Sequence, residues 1–368
     1  MDNYMFPIAD CVLFEKYCNL SCEYCFLDKD YRKQIPKSLL TQYYVDLLKC
    51  IELAKKKDVD MLKISGGEIF LLSELLDKII EISGFEKVQI LTNGTLTTQT
   101  DIMRISQKGN WGLQISLDGH TEEMNFLRFK SKRMFKKVKE CLEYSISKAL
   151  PIEIHMCLNR TNVSNLKSYL EYLVALNGRI TLNIIPVREK NERLAVKKEQ
   201  IGYIEEVIAN YNRYEQVLPP KQYLWLLHEM LVSHNKPKEW KCFINKTVLA
   251  IQGNGDIKIC PEVPTLDTTI CGNIFQDSEN LLENDYIEKL ATSPKNDLLS
   301  NHCGRISICK GCFTHYEIIN LYINNMIDCG QLRRMWVYDS DRMIYKLNKI
   351  KHMYQKEKLL SSNGMRDK

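Results

Sequence analysis

Residues 8–25 read IADCVLFEKYCNLSCEYC: a short, mostly apolar run from Ile8 to Phe14, then cysteines at 18, 22 and 25. A β-rich run followed at once by chemistry-bearing residues is the arrangement of a parallel barrel, whose strands form the core and whose loops at the strand C-termini do the work. The same unit recurs along the chain. Met61–Ile64, Val88–Leu91, Leu113–Leu117, Ile152–Leu158 and Ile180–Ile185 are further β-rich runs, each followed by a helical pattern expected to extend ten residues or more. Six such units joined by right-handed crossovers predict an α/β fold, a partial (β/α)6 TIM-like barrel over residues 1–190.

The loops after these strands carry the unusual residues. Ser65-Gly66-Gly67-Glu68 follows the second strand, Thr92-Asn93-Gly94 the third, and Ser116-Leu117-Asp118-Gly119 ends the fourth, with Arg128 nine residues beyond Gly119. Taken singly, each is a turn or a surface side chain. In order, and each after a predicted strand, they mark one functional rim.

Composition narrows the classes of function. With 368 residues the chain can bury a full core without disulfides, so its fourteen cysteines need another reason. The net charge of +5 is dispersed and too mild for nucleic acid. The most basic stretch, KSKRMFKKVK at residues 130–139, reads as the solvated face of a helix. Asp2 and Asp10 stand where a signal peptide would be basic. No apolar run approaches the roughly 18 residues of a membrane span. A cytoplasmic location is expected, where clustered thiols favour metal over disulfides. Cys11, Cys50, Cys141 and Cys157 sit apart beside apolar residues.

Three closely spaced thiolates on a four-iron cubane leave one iron with an open coordination position. Zinc is the rival, but its structural sites pair C-x2-C with a second cysteine or histidine pair, and only the single Cys11 and Cys50 lie nearby. The stretch Cys18-Asn19-Leu20-Ser21-Cys22-Glu23-Tyr24-Cys25 resembles the cluster loop of the radical S-adenosylmethionine (SAM) superfamily, including the aromatic before the third cysteine. The resemblance covers residues 8–190 and implies a [4Fe-4S] cluster with an open iron site on Cys18, Cys22 and Cys25. It places Ser65, Gly66, Gly67 and Glu68 at the methionyl amino group, where small residues let the backbone approach. Thr92 and Asn93 join them on the rim. Ser116 and Asp118 are expected near the ribose, and Arg128 at the methionyl carboxylate, which its planar fork suits. Asn159, in Leu158-Asn159-Arg160-Thr161-Asn162, is expected near the adenosine. Two positions depart from the family pattern: Ile69 stands where many members have proline, and Asn125 where aspartate is common.

Residues 191–240 read as a helical linker interrupted by Pro219-Pro220, and 241–331 as a cysteine-rich auxiliary iron–sulfur domain. The late cysteines resemble the SPASM/twitch-type extension of peptide-modifying superfamily members. Cys242, twelve residues, Gly255, four residues and Cys260 match its first half. The second half departs: Cys303-x5-Cys309-x2-Cys312 has Ser300 in place of its leading cysteine, the last gap is one residue short, and Cys329 supplies the final position. Residue matching assigns Cys242, Cys260 and Cys312 to one auxiliary cluster and Cys303, Cys309 and Cys329 to another, each one thiolate short. Cys271 either completes the first, or the segment holds a single cluster; a zinc ribbon on Cys309-Lys310-Gly311-Cys312 is the alternative. Beyond 332 a terminal helix and tail are expected, with Leu332, Trp336, Met343, Leu347, Ile350 and Tyr354 on one helical face.

The resemblance implies an enzyme that cleaves SAM reductively and modifies a peptide or protein by crosslinking, epimerisation or side-chain oxidation. A small-molecule dehydrogenase and a non-catalytic iron–sulfur or zinc protein are the other two readings. An external electron donor such as flavodoxin or ferredoxin is implied. Seventeen residues precede Cys18, fewer than a leader-binding domain needs, so a separate leader-recognition protein is expected.

Overall fold

The computed structural model describes residues 6–13, 17–25, 40–187, 193–233, 242–258, 260–261, 270–275 and 313–363. Its centre is a nine-stranded sheet whose order, from one edge to the other, is β6-β5-β4-β3-β2-β1-β7-β8-β9. Strands β1 (Ile8–Val12), β2 (Met61–Ser65), β3 (Lys87–Thr92), β4 (Trp111–Ser116), β5 (Ile152–Leu158) and β6 (Ile180–Pro186) are parallel and adjacent in chain order. This is the α/β partial barrel expected, and the strands fall where the β-rich runs predicted, within two residues at each end.

The helices between them are α1 (Leu40–Lys56), α2 (Ser73–Ile79), α3 (Gln99–Ser106), α4 (Lys132–Ser147) and α5 (Leu166–Ala175), with α6 (Gly202–Ala209) after β6. The expected minimum of ten residues fails for α2, α3 and α6, of seven, eight and eight residues. Local capping sets α3: Thr98 accepts from the Asp101 amide and Asp101 returns a bond to Thr98, closing a capping box. Each strand alternates. Val88 and Ile90 of β3, for example, pack outward into the helix layer while Gln89 between them faces inward. The inner faces curve around a lumen, since Lys63 on β2 reaches past β3 to Gln114 on β4, Nζ to Oε1 at 3.3 Å.

What sequence reading missed is that the sheet continues past its first strand. β7 (Val248–Gln252) pairs in parallel with β1, Ile8 opposite Val248 and Val12 opposite Gln252, and β8 (Asp256–Lys258) and β9 (Ile270–Asn273) follow antiparallel. Short helices α7 (Tyr211–Tyr214), α8 (Lys221–Ser233) and α9 (Ile244–Thr247) lead there, α8 beginning directly after Pro219-Pro220. The chain ends in α10 (Glu317–Ile323), α11 (Cys329–Arg333) and α12 (Asp341–Asn363). The stripe from Leu332 to Tyr354 therefore spans two helices and a 3-10 turn at Trp336–Tyr338, not one helix. Its members still face the core: Leu332, Met343, Leu347 and Ile350 are buried, and Trp336 and Tyr354 pack against them. Among the described residues no helix is long and apolar enough to cross a membrane.

Candidate active site

The cysteine loop crosses the rim and is fastened to three neighbouring loops. The Glu68 amide donates to the Tyr17 carbonyl at 2.9 Å, and Glu23 N donates to Leu127 O at 2.9 Å. Asn93 Nδ2 donates to Asn19 Oδ1 at 2.9 Å and approaches Cys18 Sγ at 3.8 Å, while Asn19 Nδ2 donates to Thr95 Oγ1 at 2.8 Å. Cys18, Cys22 and Cys25 are half-buried, and Cys22 Sγ lies 3.9 Å from the Arg128 carbonyl. Burial pushes the Cys18 thiol up to about 12, with Glu68 and the other two thiols adding to the effect. Such a thiol ionises when a metal takes the proton's place.

Glu68 is wholly buried and ties the second loop to the third. Its carboxylate accepts from Thr92 Oγ1 at 2.7 Å, Asn93 N at 2.7 Å and Phe70 N at 3.1 Å. Burial nonetheless outweighs these bonds and raises its pKa to about 7. Gly66 and Gly67 are half-buried beside it and Ser65 is nearly covered. Gly94, at φ +73°, makes the turn that returns the third loop under Asn93, a conformation an L side chain resists.

The fourth loop centres on Asp118, which is fully buried. Arg128 holds it with two bonds, Nη2 to Oδ1 at 2.9 Å and Nε to Oδ2 at 3.2 Å, and the Cys157 amide donates to Oδ1 at 2.8 Å. The Tyr24 hydroxyl donates to Oδ2, and the Arg128 guanidinium lies 5.3 Å from the Tyr24 ring centroid. Asn125 folds this loop, accepting from Asp118 N at 2.8 Å and donating to the Gly119 and Thr121 carbonyls at 2.7 Å each. A carboxylate there could not donate, which accounts for asparagine at the departing position.

The structure thus brings Ser65, Gly66, Gly67, Glu68, Thr92, Asn93, Ser116, Asp118 and Arg128 to one rim with the cysteine triad. Asn159 is there too, but its amide is spent locally: Oδ1 accepts from Thr161 N and Oγ1 at 2.9 and 2.6 Å, and Nδ2 donates to the Cys157 carbonyl at 2.9 Å. Sequence reading missed the Tyr24–Asp118 bond, which joins residues 94 apart, and Asn162, whose Nδ2 donates to the Asp118 and Cys157 carbonyls at 3.3 and 3.0 Å.

A profile of the Radical SAM superfamily matches residues 12–193. This part of the chain is a radical SAM domain. The sporulation killing factor maturation protein SkfB of Bacillus subtilis is 24% identical over 46% of this chain and 40% of its own length. The subtilosin biosynthesis protein AlbA of the same organism is 24% identical over 80% of this chain and 65% of its own. The chain thus spans from two fifths to about two thirds of these relatives. Streptococcus suis SuiB bound to S-adenosylmethionine superimposes with a TM-score of 0.58 at 17% identity, over 85% of this chain and 74% of SuiB, which supports the fold.

A radical SAM domain implies a [4Fe-4S] cluster and SAM, and Cys18, Cys22 and Cys25, half-buried together on the loop after β1, are thiols of the kind that would hold such a cluster. Of the late cysteines, Cys242 precedes α9, Cys260 is buried after β8, and Cys329 opens α11, its sulfur 3.4 Å from Arg333 Nε. The backbone of Cys271 lies in β9. Cys303, Cys309 and Cys312 lie outside the described residues.

Proposed function

We propose that this chain cleaves SAM reductively and uses the resulting 5′-deoxyadenosyl radical to abstract a hydrogen atom from a peptide or protein substrate, in the manner of a peptide maturase. The observation that carries this reading is the rim, where the triad loop is bonded to the second, third and fourth loops around a buried Asp118–Arg128 pair. The cluster, when bound, supplies the electron that breaks the sulfur–carbon bond. The chain's residues supply position. Glu68 fixes the glycine loop against Thr92 and Asn93, and Asp118 sets Arg128 and Tyr24 around the fourth loop.

Peptide as substrate is supported by two of the relatives, named as a sporulation killing factor maturation protein and a bacteriocin biosynthesis protein, and by SuiB, which was solved bound to the precursor peptide SuiA. Auxiliary clusters on Cys242, Cys260, Cys271, Cys303, Cys309, Cys312 and Cys329, a flavodoxin- or ferredoxin-type donor, a separate leader-recognition protein and a cytoplasmic site belong to the same proposal.

Anaerobic reconstitution with iron and sulfide, reduction and addition of SAM should yield 5′-deoxyadenosine. Replacing Cys18, Cys22 and Cys25 together by alanine should abolish it while iron on the late cysteines is retained. Undiminished 5′-deoxyadenosine from the triple variant would remove the triad from the chemistry.

A further inference from the structure

Below the rim the inner face of the sheet is polar, where barrels of this kind are usually filled by branched apolar side chains. Asp10 on β1, Lys63 on β2, Gln89 on β3, Glu153 on β5, Asn183 on β6 and Gln252 on β7 are each at most 4% exposed. Each alternates with neighbours that pack outward into the helix layer, as Cys11, Ile64, Ile90, Ile154, Leu182 and Ile251 do.

Lys63 Nζ contacts Gln114 Oε1 at 3.3 Å and His315 Nε2 at 2.8 Å. Gln114 Nε2 in turn lies 2.9 Å from His155 Nδ1. Among the described residues, Lys63 is the cation that bears on both Asp10 and Glu153. Lys258 on β8 and Glu317 on α10, also buried, add one charge of each sign. Among the described residues, the Lys63 ammonium thus bears on two carboxyls, Asp10 and Glu153.

Hydrogen bonds are left over on the same side. Tyr316 donates to Asp10 Oδ2 at 2.6 Å, and Ser65 lies against Asp10 as Asn183 and Gln89 lie against Glu153; among the described residues, Asp10 Oδ1, Glu153 Oε1, Asn183 Oδ1 and the amide atoms of Gln89 and Gln252 have no hydrogen bond within 3.5 Å. Buried polar atoms are ordinarily paired, and an uncompensated buried charge is costlier still. A cation rich in donors answers both deficits; an anion or an apolar group answers neither.

We propose that Asp10 and Glu153 make this lumen a recognition chamber for a positively charged side chain of the substrate, the ammonium of a peptide lysine or the guanidinium of an arginine. Reach agrees. His155, the half-buried member at the rim side, lies two residues above Glu153 on β5, about 7 Å along the strand and within the span of an extended lysine. Burial raises the carboxyls of Asp10 and Glu153, Lys63 opposing it in both, as expected of acids short of a counter-charge. The inference rests on the peptide-substrate reading.

The test measures binding, so it stands apart from turnover. The full chain, anaerobically reconstituted and loaded with SAM, is titrated calorimetrically with N-acetyl-Ala-X-Ala-amide peptides in which X is Lys, Arg, Leu or Glu. The Lys and Arg peptides should bind at least tenfold more tightly than the Leu peptide, and the Glu peptide most weakly. Asp10→Asn and Glu153→Gln should each reduce the Lys-to-Leu ratio severalfold. Lys63→Met, which removes the internal cation, should raise that ratio, a direction that misfolding does not imitate. Equal affinity for Leu and Lys, no binding of the Lys peptide, or a ratio indifferent to these variants would overturn the proposal and leave the lumen to water. Absence of 5′-deoxyadenosine from the wild-type protein would instead count against the radical enzyme, whatever the peptides do.

Discussion

Rim and lumen belong to the same parallel sheet, yet they treat their polar groups in opposite ways. At the rim Glu68 has three partners, Asp118 is held by Arg128, Tyr24 and the Cys157 amide, and Asn125 and Asn159 spend both ends of their amides. A few residues deeper, Asp10, Gln89, Glu153, Asn183 and Gln252 keep polar atoms without a hydrogen bond among the described residues. Saturated polar groups fix a shape in advance, as a binding site for one invariant cofactor requires. Unsaturated ones wait for a partner. The difference separates what the fold supplies itself from what a ligand must complete.

Breaking the rim should therefore be costly. Asp118→Ala leaves the Arg128 guanidinium buried without its counter-charge, and removal of one member of such a pair costs about 3–5 kcal/mol. Urea unfolding of the apoprotein should show that loss. A change below about 1 kcal/mol would mean that Arg128 relaxes to another partner and that the rim is less fixed than its bonds imply.

Glu68 tests the same contrast through pH. Folding raises its pKa from the ordinary 4.5 to about 7 because burial outweighs its three hydrogen bonds. Between those values the native state holds a proton that the unfolded state has released, so this group makes stability fall as pH rises through the window. A shift of that size corresponds to roughly 3 kcal/mol between pH 4 and pH 8. Asp10 and Glu153 are also raised and act in the same direction, so the informative quantity is the difference between wild type and Glu68→Gln. Their stabilities should converge at low pH and part as pH rises, with the variant gaining. Parallel curves would show Glu68 ionised at neutral pH and the rim better solvated than its burial indicates.

How much of this the sequence discloses follows the same division. Strands β1 to β6 and the motifs after them are local features: an apolar run, a turn signal and a loop in consecutive residues. β7 is not. VLAIQ at 248–252 gives no clue that its partner is β1, some 240 residues earlier, and the cysteines on either side draw the segment into another pattern. The capping of α3 by Thr98 is equally invisible to a periodicity that expects a longer helix. At the site, residue types were legible and partners were not. Tyr24 matched the aromatic before the third cysteine, but its hydroxyl's role depends on Asp118 across the barrel. The polar lumen was legible only in retrospect, as single hydrophilic residues, Asp10, Lys63, Gln89, inside runs otherwise apolar. In isolation each resembles the alternation of any half-exposed strand, and only closure of the sheet turns them toward one another.

The smallest predicted effect carries the sharpest sign. Gln252 is 1% exposed, and among the described residues neither of its amide atoms has a partner. In a saturated site, replacing a buried amide by an apolar side chain of similar size strands its partners at about 1–3 kcal/mol. Gln252→Leu strands nothing, removes two unpaired groups and adds apolar contact, so unfolding of the apoprotein should be unchanged or harder by about 1 kcal/mol. Destabilisation by more than 1 kcal/mol would show that ordered water already satisfies the amide and that the lumen is a finished network like the rim. A neutral or stabilising outcome beside a costly Asp118→Ala would set the Gln252 amide of the lumen apart from the paired carboxylate of the rim.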